Sequence, residues 1–140
     1  MASGWMEPEA CRNLAVLIES VTAPMLIEHP SPVCLELDVD MDVPIPCEKR
    51  LAADLVAALC RQALAAMPDG GDLIVTACAT ETGIDLEIAD SGSDLDSRER
   101  HLPFVAAAIE AELHWQNCPQ GGVAVTIRFP GDQASERLAA

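Results

Sequence analysis

The apolar positions along the chain follow two rhythms. In 9–26, Leu14, Leu17, Ile18 and Val21 recur at spacings of three and four, which places them on one side of a helix. Pro24 is expected to weaken or end that helix, because proline has no N–H and crowds the preceding turn. His29-Pro30-Ser31-Pro32 reads as extended or turn. The stretch 33–39, V-C-L-E-L-D-V, alternates apolar and polar residues and predicts a half-buried strand. A connector with two prolines spans 40–46. The longest helical stretch follows at 48–67, with Leu51, Leu55, Leu59, Gln62 and Ala66 on one stripe. Pro68-Asp69-Gly70-Gly71 stops it.

Two strands are predicted at 72–79 and 84–89, joined by a hairpin turn over 80–83. Residues 90–100 are polar and read as loop. The Ala-rich stretch 102–115 predicts a third helix, and 117–122 a turn with Pro and Gly. The run V-A-V-T-I-R-F at 123–129 alternates as a last strand, ended by Pro130. The predicted order is helix, strand, helix, strand, strand, helix, strand. This is an α+β two-layer sandwich, a mixed and mostly antiparallel sheet with helices on one face. A chain of 140 residues makes one such domain. The divisions are an N-terminal segment with its leading helix (1–32), the domain proper (33–130) and a flexible tail (131–140).

Composition narrows the function. Half the residues are hydrophobic, but there are two Trp, two Phe and no Tyr, so the core is aliphatic and no aromatic platform exists for single-stranded nucleic acid. The net charge is -15, from 23 acidic and 8 basic residues. That balance opposes binding to nucleic acid or to an anionic membrane, both of which need Lys and Arg. It favours a protein partner with a basic patch. A phosphate ligand would need a local cation or Mg²⁺. The cysteines at 11, 34, 47, 60, 78 and 118 form no CxxC pair and no zinc spacing with His, and most sit in apolar runs. They read as buried free thiols in a reducing cytoplasm. His29, His101 and His114 lack the acidic neighbour and exposed helix face of a phospho-acceptor, and no catalytic or phosphorylated residue is assigned. No basic leader or apolar run of about 18 residues appears, so a cytoplasmic location is expected.

Three stretches carry a family resemblance. They are L-V-A-A-L-C-R-Q-A-L-A-A-M-P-D-G-G-D-L-I-V (55–75), I-A-D-S-G-S-D (88–94) and G-G-V-A-V-T-I-R-F-P (121–130). In their order and spacing they resemble the ATP-binding domain of the histidine kinases, the GHKL superfamily with its Bergerat fold. The first is similar to the long helix ending in A-M-P-x-G-G, the second to the D-x-G-x-G box and the third to the closing G-G-T-x-F-x-I-x-L-P strand. Leu102-Pro103-Phe104 sits where the family has a short Leu-Phe element.

The resemblance implies roles for particular residues. Asp90 matches the carboxylate that takes a hydrogen bond from the adenine amine, and Gly92 the first glycine of the box. Gln62 stands where the family has the Asn that holds Mg²⁺. Its longer arm displaces the amide oxygen from the geometry Mg²⁺ needs. Gly121 and Gly122 match the closing glycines. ATP or ADP with Mg²⁺ is the implied ligand. Departures are concentrated at the phosphate end. Ala58 replaces an earlier Asn, Ala65 and Ala66 fall where a basic residue is usual, Asp94 replaces the second glycine, and 93–104 is too short for a nucleotide lid. Arg98 and Arg100 are the cations nearest to it and read as part of a solvated loop. The expectation is a degenerate domain of bacterial two-component signalling, a regulatory or protein-interaction module with weak or no ATP hydrolysis. Its partner would be a kinase, a phosphotransfer protein or a response regulator, with a homodimer as another possibility. The alternative is a competent ATP- or ADP-binding kinase domain that supplies phosphoryl transfer in trans.

Overall fold

The computed structural model describes residues 7–99 and 101–131. Arg100, most of the expected tail and the first six residues lie outside the described residues. A 3-10 turn, Pro8–Ala10, is followed by α1, Leu14–Glu28; then come β1, Val33–Asp38, and α2, Lys49–Ala65. The hairpin of β2, Gly71–Thr80, and β3, Gly83–Asp90, leads through a second 3-10 turn, Leu95–Ser97, to α3, Phe104–Ala108. The chain closes with β4, Glu112–Asn117, and β5, Val123–Pro130.

The five strands form one sheet in the order β1-β2-β3-β5-β4. β1 lies parallel to β2, with Val33 opposite Gly71, and the other three pairings are antiparallel. The parallel pair needs a crossover, and α2 provides it. Alternation decides which face is buried. Ile84, Leu86, Ile88 and Asp90 of β3 point inward, as do Leu73 and Val75 of β2 and Val125, Ile127 and Phe129 of β5. They meet Leu14, Leu17 and Ile18 of α1 and Leu55, Val56, Leu59 and Cys60 of α2. At roughly 1.5–3 kcal/mol for each fully buried aliphatic side chain, this single core is the main source of stability. The opposite face of the sheet carries Glu36, Asp38, Asp72, Asp85, Glu87 and Glu112.

Three expectations are corrected. α1 starts at Leu14, not at Glu9, because the Oδ1 of Asn13 accepts the N–H of Val16 at 2.9 Å and caps the helix there. It also runs through Pro24 to Glu28. Beyond the proline the last turn is closed by His29, whose N–H reaches the Met25 carbonyl at 3.0 Å. The predicted helix over 102–115 is only the five residues of α3, and the rest is the edge strand β4. In E-L-H-W-Q-N the period is two: Leu113 and Trp115 turn to the core while Glu112, His114 and Gln116 face out. His114 therefore lies on a strand, not near a helix end.

The cysteines divide differently from the expectation. All six are free, but only Cys11 and Cys60 are buried, whereas Cys34 and Cys78 are exposed on the outer face of the sheet. Alternation again is the reason: both occupy outward positions of their strands.

Candidate functional site

The site forms where β3 ends beside the start of β5. β3 delivers Asp90 to the inner face of the sheet, between the C-terminal half of α2 and the segment 91–99. Two glycines let the backbone close around it. A Cβ on Gly92 would lie 2.4 Å from the Ala66 carbonyl oxygen. Gly122 has φ +87°, and a Cβ there would sit 1.9 Å from the Asp90 carbonyl oxygen. Both positions are therefore confined to glycine by close backbone approach. Gly121, with φ +105°, is on the exposed turn and would meet nothing within 4 Å.

Asp90 is buried, and its carboxylate is fully engaged. Arg98 Nη1 donates to Oδ2 at 2.7 Å and Nη2 to Oδ1 at 2.8 Å. Oδ1 also accepts the N–H of Gly92 at 2.9 Å and that of Val123 at 3.4 Å. Arg98 is fixed in turn by the Ser93 carbonyl, which accepts its Nε at 3.0 Å and a second bond from Nη2. The two side chains are only 7% and 3% exposed. Such a two-pronged guanidinium–carboxylate contact is directional as well as strong. Arg98 was expected in a solvated loop, and the structure corrects this: the guanidinium is drawn inward because a buried carboxylate without a partner would be costly.

Other bonds hold the covering segment in place. Asp72 N–H donates to Ser91 Oγ at 2.9 Å, and Ser93 N–H to the Ala66 carbonyl at 3.3 Å. Asp94, at the second glycine position, caps the following 3-10 turn by accepting Ser97 N–H at 3.0 Å. Leu95 N–H bonds to Asn117 Oδ1 at 2.9 Å, which ties the segment to the end of β4.

Gln62 faces the same region from α2. Its Nε2 donates to the His101 carbonyl at 2.7 Å, and its Oε1 accepts the His101 N–H at 3.3 Å. The amide is thus spent on the backbone just before α3. No group of three or more His, Cys, Asp or Glu able to hold a metal occurs among the described residues. What is left between Leu59, Gln62, Asp90, Arg98, Trp115 and Val123 is a cavity of about 10 Å³, room for one water at most. Ligand pockets are typically some 300–1,000 Å³.

The structure thus brings Asp90, Gly92, Gly122 and Gln62 to one place and leaves Gly121 outside it. The sequence reading missed Arg98 as the closing residue. Its position eight residues beyond an inward Asp puts it within reach, but the short polar segment between carries no signal of which way the side chain turns.

More open hollows lie along β4. One of about 740 Å³ is lined by Leu102, Leu113, His114, Gln116 and Arg128 among others. Next to it Leu102 is 66% exposed and Phe104 99% exposed.

No protein-family model and no curated protein sequence matches the chain. Solved structures do. A mycobacterial sensor histidine kinase, MprB, superposes with a TM-score of 0.65 at 18% identity, over 82% of this chain and 92% of that one. The catalytic domain of histidine kinase ThkA, in a nucleotide-free form, gives 0.67 at 17% identity, over 84% and 92%. The histidine kinase domain of the blue-light-activated kinase EL346 of Erythrobacter litoralis gives 0.61 at 19% identity, over 89% and 64%. With its mixed five-stranded sheet under a layer of helices, the chain has the fold of the histidine-kinase catalytic domains, the Bergerat type.

Proposed function

We propose that this chain is a degenerate kinase-type ATP-binding domain that works in two-component signalling as a regulatory, protein-binding module, with little or no ATP turnover. The observation that carries the reading is the state of Asp90. Its two oxygens are satisfied by Arg98, Gly92 and Val123, and no space for a base remains beside it. The phosphate end supports the same reading. Gln62 is bonded to His101, and Ala58, Ala65 and Ala66 offer nothing to a phosphate. A triphosphate brought to a chain of net charge -15 would meet repulsion.

The partner, in this reading, is a kinase, phosphotransfer protein or response regulator that presents Lys and Arg around an apolar seat. The chain carries 23 acidic residues against 8 basic ones, and Leu102 and Phe104 are large apolar side chains exposed two residues apart. Such complementarity acts chiefly on association rate, so the complex should weaken as salt rises.

Isothermal titration with Mg-ATP and with Mg-ADP tests the reading. The expected outcome is no binding at millimolar nucleotide. Binding tighter than about 100 μM that disappears in Asp90→Ala would sink it and favour a competent domain acting in trans.

A further inference from the structure

β4 is an edge of the sheet and pairs with β5 alone among the described strands. The hairpin between them fixes where its backbone groups point. Cys118 N–H bonds to the Gly122 carbonyl at 2.9 Å, and bonded and non-bonded pairs alternate along an antiparallel ladder. Glu112, His114 and Gln116 therefore turn their backbone groups to β5, whereas Leu113 and Asn117 turn theirs to the free edge. Among the described residues, neither of these two has a backbone partner on that side. Sheet edges are usually blunted by Lys, Pro or a bulge. The six residues of β4 include neither Lys nor Pro, and their one-to-one pairing with β5 leaves no bulge.

The hollow of about 740 Å³ follows this edge, because it is lined from both faces of the pleat. Ala111 and Leu113, which pack toward the core, form one side, and Glu112, His114 and Gln116 form the other. Leu102 adds an exposed apolar rim. A second hollow, of about 510 Å³, shares Glu112 and Arg128 with the first and adds Asp85 and Glu110. Arg128 sits opposite Asp85 on β3 and Glu112 on β4, so carboxylates outnumber it along the outer side of the edge.

Resting on the protein-binding reading above, we infer that the partner binds at the free edge of β4 by adding a strand of its own to the sheet. An added strand continues the pleat, so its side chains fall alternately on the two faces. Those on the core side meet Ala111, Leu113 and Leu102 and are apolar. Those on the outer side meet Glu112 and its acidic neighbours and are Lys or Arg. The partner segment is thus extended and alternates apolar with basic residues. A second copy of this chain lacks that chemistry. It would bring one net charge of -15 against another, and its own β4 holds no Lys or Arg.

The probe is a blocked peptide of about eight residues that alternates Val and Lys. At low salt it is expected to bind with a Kd of about 100 μM, roughly tenfold or more tighter than its counterpart with Glu in place of Lys. Binding should slow hydrogen exchange at the Leu113 amide, which gains a partner, and leave His114, already turned to β5, unchanged. N-methylation of every Val should abolish binding and N-methylation of every Lys should not, since in antiparallel addition only the Val N–H groups face β4. The reverse result means parallel addition and supports the inference equally. Absence of binding, equal effects of the two methylations, or unchanged exchange at Leu113 overturns it. So does a dimer of the chain alone in sedimentation equilibrium that already protects Leu113, which would give the edge to a second copy. Mg-ATP binding would instead sink the functional reading and leave these peptide results standing, so the two failures are separable.

Discussion

Arg98 and Asp90 face each other through two nearly parallel hydrogen bonds of 2.7 and 2.8 Å, with both side chains almost wholly out of water. Breaking a buried pair from one side leaves an uncompensated charge, which typically costs about 3–5 kcal/mol. Arg98→Met and Asp90→Asn should each lower the unfolding free energy from urea titration by that order, and the double variant should lose clearly less than their sum. Additive losses in a double-mutant cycle would show that the two residues do not act as a pair.

The two turn glycines should respond unequally. Gly122→Ala puts a methyl group into the Asp90 backbone at a positive φ, so a loss of about 3 kcal/mol or more is expected. Gly121→Ala has the same kind of backbone strain but open space, and about 1 kcal/mol is expected. Chemical denaturation of both variants checks the difference.

Gln62 makes a two-way bond with the backbone of His101. Gln62→Ala should cost about 1 kcal/mol and speed hydrogen exchange at the His101 amide, leaving exchange in β2 and β3 unchanged. Gln62→Asn should not rescue it, because one bond length is lost. Uniformly faster exchange across the sheet would contradict a local role.

Burial pushes the Cys60 thiol up to about 12 from its ordinary value of 9.0. The sign follows from which state binds the proton. Below pH 9 both folded and unfolded chains carry it, and its contribution to stability is complete. Between pH 9 and 12 only the unfolded chain loses it, so stability must fall with rising pH. Cys60→Ala should flatten that alkaline decline in a series of denaturant titrations. At pH 8, alkylation followed by mass mapping should label Cys34 and Cys78, which are exposed, well before Cys60.

Phe104 contributes almost nothing to the core, being 99% exposed. Phe104→Ser should leave the unfolding free energy within about 0.5 kcal/mol of the parent. In the proposed partner complex the same change should weaken binding by tenfold or more. A large loss of stability would mean that the side chain is buried in solution.

The sequence carried much of this architecture because strands with one wet face alternate and two-faced helices do not. β1, β3 and β5 were legible for that reason, and so was α2, whose Ala- and Leu-rich run ends at Pro68 and Gly70. β4 was hidden by the alanines before it, which extended a helical reading across E-L-H-W-Q-N, where the period had already changed. The candidate site was legible only in its frame. Asp90 and Gly92 stand out through a local motif, but Arg98 reaches Asp90 only through the turn that Asp94 caps. A short polar segment gives no sign of whether its cation points to water or back to the chain. The reciprocal bond between Gln62 and His101 joins residues far apart in sequence, and pattern alone cannot pair them.

The sheet order also bears on how the chain reaches this state. β2 and β3 are joined by the two residues Glu81 and Thr82, so their pairing needs only a local closure that takes microseconds. β1 must instead find β2 from the far side of α2, with Val33 opposite Gly71. That closure carries the larger entropic cost and gains nothing until the crossover helix is in place. The hairpin, and with it Asp90 at the end of β3, is thus set early, whereas the edge formed by β1 arrives late. Mutations in β1 should act mainly on the unfolding rate, and mutations in the hairpin on the rate of folding.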